Sequence, residues 1–255
     1  MSVTPKHFTW YELMTTEPEA AASFYRDVVG WKAEPAESAP IPYWLLHGTK
    51  GIAAGLMGLS AEDCTAGKRP GWIGSIETDD VDATVQRVAE LGGAVHVPPM
   101  DIPNVARFAI VADPQGAVFG LMRWVDAPAQ AALMTTGHAG WHELMAAEWE
   151  AVFPFYENLF GWRKLAPIDM GPIGTYQLFG IEDGEGFGGM FTKPPEVPAP
   201  FWLYYISVPS IDAAKARVEA LGGQVLNGPM EVPGGMWIIQ FLDPQGAMTA
   251  LVGPR

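Results

Sequence analysis

The sequence predicts an α+β protein built by tandem duplication, each copy holding two βαβββ units, and three observations carry that prediction. The chain has 255 residues, enough for two domains of the usual size of roughly 100–150. It repeats itself: Trp10–Trp31 laid on Trp141–Trp162 gives 11 identities in 22 positions, and Leu91–Leu121 laid on Leu221–Leu251 gives 13 in 31. Within each copy, short alternating apolar runs separated by Gly and Pro outnumber the helical runs. The copies are placed at 1–125 and 140–255, with an Ala-rich linker at 126–139.

Taken in order, Phe8–Met14 alternates as a strand. Thr16 and Glu19 have the spacing of a capping box ahead of an amphipathic run that ends at Gly30, a residue suited to a left-handed stop. Trp31–Ala36, Tyr43–His47 and Ile52–Met57 then read as three short strands. After Pro70 the pattern recurs. Trp72–Glu77 is a strand, and Asp80–Leu91 is a helix with Val81, Val85 and Val88 on one side and Gly92-Gly93 as its stop. Ala94–Val97, Arg107–Val111 and Ala117–Trp124 complete the copy as strands. The second copy repeats the series with Phe201–Val208, a helix at Ile211–Leu221, and strands near Val225, at Trp237–Leu242 and at Ala247–Val252. Its first helix contains Pro154, and a kink is expected there because an interior proline costs ~3 kcal/mol. Asp113–Ala117 and its repeat Asp243–Ala247, both Asp-Pro-Gln-Gly-Ala, are expected to be reverse turns with no need of catalysis.

Composition narrows the function. Hydrophobic residues make up 49% and charged residues 17%, which excludes a disordered chain. No apolar run reaches the ~20 residues of a membrane span, and the N-terminus lacks a basic start followed by an apolar core, so a cytoplasmic protein is expected. The single Cys64 excludes an internal disulfide or a thiolate cluster. A net charge of −14 argues against nucleic acid and anionic membranes as partners.

Phe-Tyr-x-x-x-x-Gly-Trp after the first strand (Phe24–Trp31, Phe155–Trp162), Leu-Gly-Gly after the second helix and Asp-Pro-Gln-Gly-Ala before the last strand resemble the vicinal oxygen chelate superfamily. That superfamily includes glyoxalase I, extradiol dioxygenases, fosfomycin resistance enzymes and bleomycin resistance proteins. The resemblance implies two modules, each an eight-stranded, half-open sheet around a cavity. For catalytic members it also implies a divalent metal held by His and Glu on the first and last strands of the units. Here those slots fall on Trp10 and Trp141, near Trp72-Ile73 and Trp202-Leu203, on Gly120 and Ala250, and within Ala54-Gly55-Leu56 and Gly188-Gly189-Met190. None holds a ligand, although Glu12, His142 and Glu143 lie one or two places from nominal positions. The expectation is therefore a site with no metal and no cofactor.

What replaces the ligands suggests an aromatic-walled pocket formed by Trp10, Met14, Trp44, Trp72, Gly120, Trp141, Tyr176, Trp202, Met248 and Ala250, with the Gly and Ala leaving room at its floor. For any single Trp or Met the plainer reading is core packing. Period-two alternation puts Glu12 and Met14 on the face of Trp10, and Glu143 on the face of Trp141. Glu12, Glu143 and His142 are accordingly the candidate acids or bases. The competing reading pairs each Glu with an Arg and leaves His142, on the opposite phase, as a core or edge residue. The copies differ where Tyr43-Trp44 meets Thr175-Tyr176, His47 meets Phe179 and Arg107 meets Trp237, which suggests cavities with different jobs. The leading expectation is a metal-free binding protein of the sequestration type for an aromatic or polycyclic small molecule, acting as monomer or homodimer. Two alternatives stay open: a cofactor-independent enzyme of specialised metabolism, and a divalent-metal-dependent glyoxalase-like lyase or dioxygenase.

Overall fold

The computed structural model describes residues 6–37, 39, 41–181 and 186–255; residues 1–5, used above only to judge the start of the chain, lie outside them. In chain order the first copy holds β1 (Phe8–Thr15), α1 (Pro18–Val29), β2 (Lys32–Pro35), β3 (Tyr43–Gly48), β4 (Gly51–Gly58), α2 (Ala61–Thr65), β5 (Gly71–Glu77), α3 (Val81–Glu90), β6 (Ala94–Ile102), β7 (Ala106–Ala112) and β8 (Val118–Trp124). The second holds β9 (Ala139–Ala146), α4 (Trp149–Phe160), β10 (Trp162–Asp169), β11 (Thr175–Ile181), β12 (Gly186–Thr192), β13 (Phe201–Ser207), α5 (Ile211–Ala220), β14 (Gln224–Val232), β15 (Met236–Leu242) and β16 (Met248–Gly253). Two eight-stranded mixed sheets result, ordered β2-β3-β4-β1-β5-β8-β7-β6 and β10-β11-β12-β9-β13-β16-β15-β14. Among the described residues no helix is long and apolar enough to cross a membrane.

The local chemistry differs from expectation in four places. The α1 N-cap is Glu17, with no side-chain cap bond; Pro18, whose fixed φ suits the first helical turn, starts the helix instead of a Thr16 capping box. Gly30 does stop it, at φ 91°. α4 runs unbroken through Pro154, with seven of its side chains buried, so packing offsets the missing backbone donor. β6 extends to Ile102 rather than Val97, and α2, opened by a Ser60–Asp63 capping box, adds a short helix that the expected series lacks.

The compact units do not follow the repeats. One comprises the residues up to Thr9, Ile73–Pro128 and His142–Trp202; the other comprises Trp10–Trp72, Ala129–Trp141 and Leu203–Arg255. Each unit therefore combines one βαβββ segment from each copy.

In the second of these units the core gathers Leu13, Phe24, Tyr25 and Val28 from the N-terminal segment with Ile206, Ile211, Val218, Phe241 and Leu251 from the C-terminal one. The Tyr25 hydroxyl lies 3.0 Å from Asp243 Oδ2 and 2.8 Å from Thr249 Oγ1, fully buried. Asp243 also shapes its own turn by accepting the Gln245 and Ala247 amides. Trp72 Nε1 donates to Thr249 Oγ1 at 3.1 Å and to Tyr25 Oη at 3.3 Å, and Trp31 Nε1 donates to the Gly137 carbonyl at 2.7 Å.

The first unit is stitched by the equivalent residues. Tyr156 donates to Asp113 Oδ2 at 2.9 Å, Asp113 accepts the Gln115 and Ala117 amides, and Trp202 Nε1 donates to Tyr156 at 3.1 Å. Trp162 Nε1 donates to the Lys6 carbonyl at 2.8 Å, and its ring stacks on Phe179 with centroids 4.7 Å apart. Packing differs at one place: this unit fills the space around His142 with Phe8 and Phe187, whereas a small void in the other unit is lined by Ala139, Ala53 and Ala54 beside Tyr11 and Tyr204.

Removing the Tyr25 or Tyr156 hydroxyl strips a donor from a buried carboxylate. Tyr25→Phe and Tyr156→Phe are each expected to lower unfolding free energy by about 1–3 kcal/mol, read as a shifted urea midpoint at unchanged slope. An unshifted midpoint would show the bonds to be dispensable.

Candidate functional site

β1 alternates so that Leu13 enters the core and Trp10, Glu12 and Met14 take the opposite face. Glu12 is opposite Gly55 of β4 in parallel register, and Gly55 is opposite Leu45 of β3, two residues from Tyr43. The missing side chain at Gly55 makes room for the Tyr43 ring. A methyl group there would overlap the Tyr43 hydroxyl and lie 2.9 Å from Trp10 Cζ2. Tyr43 donates to Glu12 Oε2 at 2.8 Å, and the Trp10 indole donates to the same carboxylate. Burial pushes the Glu12 carboxyl above the usual range, against the opposing pull of the two hydrogen bonds. Burial, with the neighbouring Glu12, also raises the Tyr43 phenol and keeps it a donor.

The second copy builds the same arrangement on β9, β11 and β12. Glu143 is opposite Gly189, and Tyr176 donates to Glu143 Oε2 at 3.0 Å. A methyl group at Gly189 would overlap the Tyr176 ring, while one at Gly188, on the other side of the strand, would overlap Phe179. The paired glycines let one strand carry an aromatic ring on each face. Phe191 lies 5.7 Å from the Tyr176 ring, and Glu143 is itself buried.

Several expected pocket residues are elsewhere. Trp202 is buried and its indole bonds Tyr156, whereas Trp72, half-buried against the core cluster, bonds Tyr25 and lines the small void of its unit with Tyr11, Trp31 and Tyr204. Trp44 packs against the core cluster as well, its neighbour Tyr43 taking the other phase. Gly120 leaves no open floor, because the Ser75 side chain opposite occupies the space a Cβ would need. His142 is not with Glu143: it is buried on the core phase, 2.7 Å from the Phe187 carbonyl through Nδ1 and stacked on Phe8 at 4.7 Å. Desolvation lowers its pKa to about 4, the Phe187 bond opposing and nearby His7 assisting, so the ring is neutral at pH 7.

Other candidates keep positions open to a role. Met14 is half-buried opposite Met57, Trp141 is half-buried on β9, and Met248 is half-buried opposite Leu242. Ala250 is buried and stands in register with both Tyr205 and Gln240. Those two residues form a polar chain the sequence reading missed. Gln240 Nε2 donates to Tyr205 Oη at 2.6 Å, and Asn227 Nδ2 donates to Gln240 Oε1 at 3.3 Å. Tyr43 was also passed over. Pairing Tyr43-Trp44 with Thr175-Tyr176 hid it, whereas a shift of one residue matches Tyr43 to Tyr176 and buried Leu46 to buried Phe179. The supposed asymmetry there disappears. At Arg107 and Trp237 the copies do differ, one binding Asp82 and Asp101, the other lying under the Arg255 guanidinium.

The donor set does not suit a metal. Among the described residues no three His, Cys, Asp or Glu converge on one point, and each candidate carboxylate already accepts a phenol. The arrangement suits hydrogen bonding and proton exchange beside an aromatic surface.

A family model described as the Glyoxalase/Bleomycin resistance protein/Dioxygenase superfamily matches residues 6–121 and 137–251. The chain is 30% identical to "Putative glyoxylase CFP32" of Mycobacterium bovis, over 96% of this chain and 94% of that protein. It is also 30% identical to the anthracycline biosynthesis protein DnrV of Streptomyces peucetius, over 96% and 92%. Among solved structures, an Mn(II)-bound glyoxalase from Novosphingobium aromaticivorans superposes with a TM-score of 0.65 at 16% identity, covering 98% of this chain and 82% of that one. Homoprotocatechuate 2,3-dioxygenase from Brevibacterium fuscum, in complex with 3,4-dihydroxyphenylacetate, reaches 0.69 at 12% identity, covering 98% and 81%. At these identities the structural likeness is one of fold.

Two titrations check the geometry. In Tyr43→Phe the carboxylate loses a bond that favours its charged form, so Glu12 is expected to titrate at higher pH than in the wild type by side-chain carboxyl NMR. His142 titrates lower when folded than when unfolded, so its stabilising contribution is complete above about pH 6.5 and is lost as pH falls toward about 4. His142→Gln is therefore expected to flatten that part of the stability–pH curve by on the order of 3 kcal/mol, measured by urea unfolding. Parallel curves for variant and wild type would show the imidazole to be solvated.

Proposed function

The chain belongs to the glyoxalase/bleomycin resistance protein/dioxygenase superfamily, and we propose that within it this protein binds an aromatic or polycyclic small molecule without a metal ion. The observation that carries this reading is the carboxylate–phenol pair repeated in both copies: Tyr43 on Glu12 and Tyr176 on Glu143, each ring seated over a glycine. A ligand meets there a polar anchor beside a flat hydrophobic wall, the composition of a small-molecule site. Trp10 supplies the wall in the first copy, with Met14 as an adaptable neighbour. The similarity to a protein of anthracycline biosynthesis supports a planar, polycyclic ligand class.

A second reading is favoured by the raised pKa of Glu12. A carboxyl group protonated nearer neutrality can give a proton to a carbonyl oxygen, or take one from an adjacent carbon, of a bound ligand. Under this reading Glu12→Gln abolishes turnover and retains binding.

Titration with polycyclic aromatics, followed by quenching of tryptophan fluorescence, tests the proposal. Saturable binding is expected, with a Kd unchanged by prior treatment with a chelator. Trp10→Ala is expected to weaken it about three- to tenfold, the worth of one aromatic contact. Binding that is lost on chelation and restored by Mn(II) would overturn the metal-independent reading.

A further inference from the structure

Each copy already holds a phenol, and the phenol is its own. Tyr43 fills a ring-sized slot over Gly55, with its hydroxyl 2.8 Å from Glu12 and Trp10 alongside. Tyr176 does the same over Gly189, 3.0 Å from Glu143, with Phe191 beside it. Tyr43 is the first residue of β3 and Tyr176 the second of β11, and both are half-buried, unlike the fully buried Tyr25 and Tyr156. The glycines matter here. Any side chain at Gly55 or Gly189 would close the slot, so the backbone keeps a space of one aromatic ring over a carboxylate.

We propose that Tyr43 and Tyr176 are internal stand-ins for a phenolic ring of the ligand, and that each site selects hydroxylated aromatics once its tyrosine swings off the glycine. This rests on the binding reading above and narrows its ligand class. Exchange of one phenol for another replaces the broken hydrogen bond in kind. An aromatic lacking the hydroxyl leaves the Glu12 or Glu143 oxygen without that partner, and a site built to hydrogen-bond a hydroxyl rejects such an analogue strongly. The bond serves in either protonation state, since a phenol can donate to a carboxylate or accept from a carboxylic acid.

The test empties one slot and offers it simple rings. In Tyr43→Ala, p-cresol is expected to bind at least tenfold more tightly than toluene by calorimetry, and the preference is expected to vanish in Tyr43→Ala with Glu12→Leu. Equal affinity for the two compounds, or no binding of p-cresol by a folded variant, would overturn the proposal. Tyr43→Phe keeps the ring and removes its hydrogen bond to the carboxylate, leaving that of Trp10. A hydroxylated polycyclic should bind it at least threefold more tightly than the wild type, and unchanged affinity would count against the exchange. Wild-type protein that binds hydroxylated and unhydroxylated polycyclics equally refutes this inference while leaving the binding reading intact; failure to bind either refutes both.

Discussion

A tyrosine from the first helix of one copy, hydrogen-bonded to the turn aspartate of the other, is the constraint on which the rest of the structure depends. Tyr25 meets Asp243 in one unit and Tyr156 meets Asp113 in the other. Each aspartate also accepts two amides of its own turn, so one buried carboxylate ties the turn, the helix and the strand behind them. Burial raises the pKa of both carboxyls, the measure of how much solvation these bonds have to replace. The Trp31 and Trp162 indoles add a second crosswise tie to the backbone ahead of the other copy's first strand.

That stitching determines which aromatics the cores use. Trp72 and Trp202 donate to the same phenols; Trp31, Trp162 and Trp202 are buried in the cores, and Trp72 packs half-buried against one of them. The opposite strand face retains Trp10, Glu12 and Tyr43 in one copy and Glu143 with Tyr176 in the other. Where catalytic relatives are expected to place metal ligands, this chain places an aromatic ring over a glycine and a carboxylate beneath it. A carboxylate bonded to a phenol is a recognition group for hydroxyls and a proton donor or acceptor, and both readings of the function follow from that pairing.

Much of this was legible beforehand. Period-two alternation placed Glu12 and Met14 with Trp10, and the self-match revealed the repeat before any element was assigned. Several site assignments turn on strand phase, which is decided by a single residue. Matching Tyr43-Trp44 to Thr175-Tyr176 sets Trp44 opposite Tyr176, and a shift of one residue is needed to bring Tyr43 there. The slots near Trp72 and Trp202 each span two residues of opposite phase, so sequence position alone does not say which of the two faces a cavity. His142 is a candidate because it lies within two places of a nominal ligand slot, while its phase, opposite to Glu143, points to the buried position it occupies. Ser75 opposite Gly120 could not have been found, because no local pattern says which side chain on a neighbouring strand fills a glycine's space.

The sequence by itself determined the duplication, the strand-rich α+β class, the two long helices of each copy and the faces of Glu12 and Glu143. These depend on local periodicity, capping and turn chemistry, which neighbouring residues specify. Only the tertiary structure decided that each compact unit draws on both copies, that Tyr25 seeks Asp243 across 218 positions, and that Tyr43 and Tyr176 cover the carboxylates. Such pairings are chosen by burial: a polar group withdrawn from water must find a partner wherever the chain brings one, and sequence distance carries no information about where that is.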